Sequence, residues 1–363
     1  MTALVELSGI GRRFTRKLDV AAKILNLLGG SYREQVVHAV DGVDLSISAG
    51  EVLALVGESG CGKSTLGRIV AGILPSSSGT MSFRGRDVAA LAGTDRLAWV
   101  RSIQMVFQDP MTSLNPRKSV FEAISEAPVY HRIFSRAEAP AKVARLLSNV
   151  GLDPQFANRM PHELSGGQRQ RVAIAQALAV KPEVLVCDEA TSALDVSIQA
   201  QILNMFLELK EEFGLTYLFI SHNLGAVRHV ADRVVIMYLG QVVEVAPADD
   251  LFATPHHPYT RALLLEAPRL ERRRRFEPIR GEIPSPLDPP SGCYFHPRCP
   301  MATDRCRTER PILRETGGDR VAACHYAEMV SPPDALAPSS EAPEPGHMKP
   351  GRAPLSAEAP RSE

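Results

Sequence analysis

Three short runs hold the residues best suited to chemistry. They are GESGCGKST at Gly57–Thr65, VLVCDE ending in Asp188 and Glu189, and LSGGQRQR at residues 164–171. In the first, Gly57, Gly60 and Gly62 let the backbone fold tightly enough for successive N–H groups to point at phosphate oxygens where a helix starts. Lys63 then neutralises the β- and γ-phosphates, and the Ser64 hydroxyl ligates Mg²⁺. The expected ATP cradle is therefore Gly57, Glu58, Ser59, Gly60, Cys61, Gly62, Lys63, Ser64 and Thr65. Asp188 and Glu189 stand side by side and must diverge in role. Asp188 reaches the metal through its water shell, while Glu189 polarises the attacking water. In the third run Ser165, Gly166, Gly167 and Gln168 open a second helix, a second anion-binding N-terminus in the same chain. One γ-phosphate does not need both ends from one chain. The natural arrangement is a head-to-tail pair in which each chain's Ser165–Gly167 closes over its partner's ATP.

These residues need strands and helices to position them, and the apolar pattern supplies both. VLALVG (Val52–Gly57) reads as a short buried strand feeding the glycine loop, followed by helical spacing from Lys63 to Ile73 that Pro75 ends. IQMVFQ, VLVCDE, TYLFISH and VVIMY read as further strands. Ser165 is an apt N-cap for a helix running to Val180, and another helix is expected near Ile198–Phe213. The alternation predicts an α/β fold, a mainly parallel sheet wrapped by helices. Residues 111–160 break the alternation with apolar helical segments at Val120–Ile124 and Val143–Val150, which predicts an inserted helical subdomain. The expected domains are a nucleotide-binding unit over 1–240, a proline- and cysteine-containing annex over 241–330, and a disordered tail over 331–363.

Composition narrows the classes. The 363 residues suit one large domain plus an appendage, and 41 Lys+Arg balance 41 Asp+Glu, so bulk charge argues for neither nucleic acid nor an anionic membrane. The start MTALVELSGIGRRF has no long apolar run behind a basic end, so no secretory signal is expected, and no apolar stretch reaches bilayer length. Any membrane link is expected to come through a partner. ERRRR at Glu271–Arg275 reads as a solvated face, and Leu18–Leu28 as an apolar helical segment covering a sheet edge.

In these motifs and their order the chain resembles the nucleotide-binding subunit of ATP-binding-cassette (ABC) transporters, from about Leu4 to Val330. The resemblance implies a P-loop NTPase cassette and further site residues. Gln108, after IQMVF, would sense Mg²⁺ and the nucleophilic water and link the site to a membrane partner. Asp195, in SALD at Ser192–Asp195, would face the opposite subunit. His222, in FISHN, would contact the γ-phosphate, and Phe14 would stack on adenine. The expected catalytic set is Glu189, His222 and Gln108, with Ser64, Gln108 and Asp188 around Mg²⁺. No position expected to be catalytic is degenerate. Soluble ABC ATPases acting on ribosomes or DNA ends usually carry two cassettes or a long coiled coil. One cassette, no heptad run and balanced charge argue against them.

Three segments resemble the oligopeptide/dipeptide importer branch. They are HAVDGVDLSI with GESGCGKSTLGR, QMVFQDPMTSLNPR, and HPYTRALL at His257–Leu264. That branch also includes importers of nickel, glutathione and some oligosaccharides. It implies a second cassette subunit, commonly a paralogue, two transmembrane permease subunits and an extracytoplasmic binding protein. It also implies a peripheral position on the cytoplasmic face of the inner membrane, and no nucleic acid. Cys293, Cys299, Cys306 and Cys324 follow C-x5-C-x6-C-x17-C. A reducing compartment disfavours disulfides, so a metal centre is the better use of four thiolates, with His296 and His325 as alternative ligands. The spacing is looser than zinc CxxC pairs. It resembles the annex of peptide-importer cassettes, where some members hold a [4Fe–4S] cluster. Cluster, zinc and free thiols in a packed domain all remain open at this level. Cys61 and Cys187 read as small buried side chains.

Overall fold

Side-chain alternation along four strands decides where everything else packs. In β3 (Val52–Val56), Val52, Ala54 and Val56 enter one apolar core and Leu53 and Leu55 the other. The same split recurs in β7 (Val184–Asp188), β8 (Thr216–Ile220) and β9 (Arg233–Tyr238). Strands apolar on both faces are the signature of a sheet covered on both sides. Leu53 and Leu55 are fully buried, and each such side chain contributes roughly 1.5–3 kcal/mol of transfer free energy. The computed structural model describes residues 3–16, 18, 26, 34–192, 194–266, 279 and 281–332.

Adding β6 (Ile103–Val106) gives a parallel core in the order β9-β3-β8-β7-β6. This is the mainly parallel α/β sheet expected from sequence. Its other edge is antiparallel. β10 (Gln241–Pro247) pairs with β9, and the two-residue strands β12 (Val321–Ala322) and β11 (Arg314–Glu315) follow it. The segment from Gln241 that sequence assigned to the annex is thus a strand of the nucleotide-site sheet, and the annex completes that sheet.

One face carries a second, antiparallel sheet, ordered β2-β1-β4-β5 from β1 (Ala3–Arg16), β2 (Gln35–Ser48), β4 (Ser78–Phe83) and β5 (Arg86–Asp87). The sequence reading did not anticipate it. Register shifts interrupt the β1–β2 ladder in four places, which blurs a period-2 pattern. The other face carries helices, among them the helical insertion, whose helices Val120–Tyr130 and Ala139–Asn149 pack against the helix Gly166–Ala179. The segment Leu18–Leu28, apart from Leu18 and Asn26, lies outside the described residues, as do ERRRR and all of the tail beyond residue 332.

Candidate active site

β3 delivers the loop at Gly57–Gly62 into the helix Lys63–Val70. Gly62 caps that helix at φ 107°, and a Cβ there would meet the Ala39 carbonyl oxygen at 2.1 Å. Only glycine serves this position. Lys63 is buried, and its ammonium donates to the carbonyls of Gly57 (2.8 Å) and Glu58 (2.9 Å), so the cation is held inside the loop's curve.

The carboxylates come from β7, which runs two strands from β3. Asp188 ends that strand, buried, and Ser64 Oγ donates to its Oδ1 at 2.7 Å. Burial raises the Asp188 pKa, while the Ser64 hydroxyl and the charge of Arg68 oppose that rise. A hydroxyl and a carboxylate so joined form the oxygen set that a Mg²⁺–phosphate complex needs. Glu189 follows at φ 48°, a left-handed conformation costing about 1–3 kcal/mol for a side-chain-bearing residue. Its N–H donates to the Ile220 carbonyl, and its carboxylate Oε1 lies 3.2 Å from His222 Nδ1. His222 follows β8 and is exposed. Lys63, Ser64, Asp188, Glu189 and His222 therefore gather at the C-terminal ends of adjacent parallel strands, where ligands of open α/β sheets bind.

The other expected residues come from other elements. Ser165 is the N-cap of its helix, in a capping box with Gln168: Ser165 N–H donates to Gln168 Oε1 at 2.9 Å and Gln168 N–H to Ser165 Oγ at 3.3 Å. A Cβ at Gly167 would meet Ile198 Cγ2 at 2.8 Å. Among the described residues no hydrogen bond or ion pair joins Ser165–Gln168 to Lys63, Ser64 or Glu189. Gln108 is exposed just beyond β6, and the preceding Phe107 carbonyl accepts from Gln170 of the Ser165-capped helix at 3.4 Å. Asp195 is the N-cap residue of the helix Val196–Phe213, with no side-chain cap bond. Phe14, on β1, is 41% exposed, with the Arg12 guanidinium 4.8 Å from its ring centre.

Sequence reasoning missed what the annex does to the glycine loop. Arg298 makes a two-pronged ion pair to Glu58, Nη1 to Oε2 at 2.7 Å and Nη2 to Oε1 at 2.9 Å. The hydroxyl of Tyr259, in HPYTRALL, accepts from the Glu58 N–H at 2.9 Å. No local signal marks a pairing across 240 residues of chain.

The four annex cysteines line one cavity with His257, Phe295, His296, His325 and Tyr326. None of the four is in a disulfide. Burial pushes Cys299 up to about 12 and Cys324 up to about 11, and raises Cys293 as well. Among the described residues no three His, Cys, Asp or Glu side chains are grouped closely enough to hold a metal ion. His296 Nδ1 bonds the Cys293 carbonyl and His325 Nε2 the Glu309 carbonyl, so each ring already has a main-chain partner.

Comparison with known proteins adds an independent line. Residues 40–192 match the ABC transporter family and residues 243–306 the oligopeptide/dipeptide transporter C-terminal region. The sequence is 51% identical over 292 residues to a probable peptide ABC transporter ATP-binding protein of Sinorhizobium fredii, covering 80% of this chain and 83% of that protein. It is 50% identical to the di/tripeptide transport ATP-binding protein DppF of Pseudomonas aeruginosa, over 81% of this chain and 91% of that one. With the oligopeptide transport ATP-binding protein AppF of Bacillus subtilis it shares 48%, over 84% and 94%. Among solved structures, cbiO1 of Clostridium perfringens, part of an ABC transporter complex, superposes with TM-score 0.57 at 28% identity, over 69% of this chain and 90% of that one. A dimeric ATP-binding cassette in a post-hydrolysis state with ADP and Pi superposes with the same score and identity, over 67% and 98%.

Proposed function

The chain belongs to the ATP-binding subunits of ABC transporters, and on that premise we propose that it hydrolyses ATP to drive import of oligopeptides or dipeptides through a membrane complex. One observation carries the reading: a complete set of hydrolytic groups shares its sheet with a peptide-transporter C-terminal region, joined through β9 and β10. Lys63 holds the β- and γ-phosphates, Ser64 and Asp188 set Mg²⁺ with Gln108 beside it, Glu189 orients the attacking water, and His222 meets the γ-phosphate. Phe14 stacks on adenine.

Ser165, Gly166 and Gly167 act on the nucleotide of a second cassette, with Asp195 facing the dimer interface. Among the described residues no hydrogen bond or ion pair joins them to Lys63 or Glu189 within one chain, which supports this assignment. Moving such a pair from open-biased to closed-biased, 1:99 to 99:1, takes about 5.5 kcal/mol of differential binding. Contacts that form only on closure are its source.

Of the two permease subunits in the complex, one docks on this chain's helical insertion, where a groove lined by Phe121, Val129, Tyr130 and Arg136 is open to solvent. No helix among the described residues is long and apolar enough to cross a membrane. Bound to its permeases, the subunit sits peripherally on the cytoplasmic face of the inner membrane. Cargo arrives through an extracytoplasmic binding protein.

Of the readings open for the four annex cysteines, the one we propose is that Cys293, Cys299, Cys306 and Cys324 would hold an iron–sulfur cluster. Their convergence on one cavity, together with spacing looser than zinc CxxC pairs, supports a cluster over a single zinc ion. Bound there, the cluster supplies cross-linking of the annex. Anaerobic purification should give absorbance near about 400 nm that C293S abolishes; colourless protein would assign free thiols instead.

The assembled complex in liposomes tests the main reading. Peptide-loaded binding protein should stimulate ATP hydrolysis and peptide uptake together. Hydrolysis indifferent to peptide, or co-purification with ribosomes rather than permeases, would overturn it.

A further inference from the structure

Glu58 is an anomaly in a loop built to hold a triphosphate. It places a carboxylate-bearing residue directly after Gly57 in the phosphate loop, and its main-chain carbonyl accepts from Lys63 Nζ at 2.9 Å. An unpaired carboxylate there repels phosphate and competes for Lys63. The annex answers that charge. Arg298 covers both carboxylate oxygens at 2.7 and 2.9 Å, and its own side chain is 4% exposed. The guanidinium lies over the Tyr238 ring, 5.9 Å from its centre, and Tyr238 packs with Tyr259 and Phe295. Tyr259 in turn fixes the Glu58 N–H. The loop is thus held from the annex at both its side chain and its backbone.

We propose that Arg298 is a positioning residue for nucleotide binding, neutralising Glu58 and holding its carboxylate away from the incoming triphosphate. The inference rests on ATP binding at Gly57–Thr65 and names a control on that same site. It makes the annex part of the ATP site, with the planar fork of arginine matched to the carboxylate in a way that lysine cannot reproduce.

The test measures MgATP affinity of the full chain by equilibrium binding, with KM and kcat of the assembled transporter alongside. R298Q should weaken MgATP binding about tenfold or more and raise KM with kcat little changed. The penalty should shrink as salt rises, because the repulsion is electrostatic. Adding E58Q to R298Q removes the offending charge and should restore affinity to within about threefold of wild type. E58Q alone leaves the Arg298 charge uncompensated beside the loop and should bind MgATP more tightly than wild type. Unchanged affinity in R298Q, or a double variant no better than R298Q, overturns the proposal, since a purely packing role for Arg298 predicts no rescue. Should R298Q fail to fold, E58Q decides alone, and binding no tighter than wild type sinks the idea. Wild-type protein that binds no MgATP would instead overturn the functional reading itself.

Discussion

Glu189 Oε1 lies 3.2 Å from His222 Nδ1, joining the turn after β7 to the loop after β8. The contact depends on the left-handed backbone of Glu189, φ 48°, which swings its carboxylate out of the strand line that buried Asp188 follows. Two adjacent acids thereby face different partners, Ser64 for one and His222 for the other. That divergence allows one to serve metal and the other water.

Replacing Glu189 by Gln keeps the shape and removes the base. E189Q should lose about 10²–10⁴-fold in kcat while still binding MgATP. It should accumulate as an ATP-bound dimer visible by size-exclusion chromatography. Wild-type turnover in this variant would remove Glu189 from the mechanism.

The hydrogen bond from Ser64 to Asp188 makes a different prediction. S64A deletes the hydroxyl that opposes the upward shift of a buried carboxyl, and with it one metal oxygen. Its Mg²⁺ half-saturation should rise by roughly tenfold or more, with nucleotide binding in EDTA much less affected. A Mg²⁺ titration of ATPase activity distinguishes this from general loss of the site, which would weaken both.

Glycine at position 167 is a packing requirement. A Cβ at Gly167 would press on Ile198 Cγ2 at 2.8 Å, so G167A must shift the helix N-terminus by tenths of an ångström. Nucleotide affinity of the isolated chain should be preserved, while ATP-driven dimerisation and turnover fall at least about tenfold. Restored dimerisation in G167A/I198A, which removes the Cγ2 methyl, would assign the loss to that contact.

The site was legible where chemistry is local and opaque where it spans the chain. Glycine spacing, the Ser165 cap and the paired acids each act within a few residues, so residue type alone places them. β10 was assigned to the annex because its hairpin has a disguised turn. Leu239 and Gly240 take φ of 44° and 82°, the all-positive pattern of a type I′ turn, but leucine rarely adopts it and hides the signal. The antiparallel sheet was hidden by bulges, and the Arg298–Glu58 pair by a sequence separation of 240 residues. Tyr259 stood in a segment noticed only for its resemblance, and its physical task, capping the Glu58 N–H, emerges only in three dimensions.

The joint between β10 and the annex carries a pH dependence whose sign can be worked out. Glu244 is 1% exposed and accepts from the N–H groups of His256 (2.6 Å) and His257 (2.9 Å). Burial nonetheless pushes its pKa up to about 7. The folded chain therefore keeps a proton that the unfolded chain releases near the ordinary glutamate value. Stability from this group is full below that value and declines as pH rises toward about 7. The loss is on the order of 3 kcal/mol at most. Buried His257 acts oppositely, because burial lowers its pKa to about 3. It is neutral when folded and protonated when unfolded below the ordinary histidine value, so its term increases stability as pH rises through that window. The two partly cancel in wild type, and the difference between variants isolates Glu244. E244Q gives up one of the two main-chain hydrogen bonds but has no proton to lose. Measured by thermal unfolding of the full chain, it should be less stable than wild type near pH 5 and close the gap, or overtake, by pH about 7.5. Parallel stability–pH curves for the two proteins would show that Glu244 keeps an ordinary pKa and that its two N–H donors outweigh its burial.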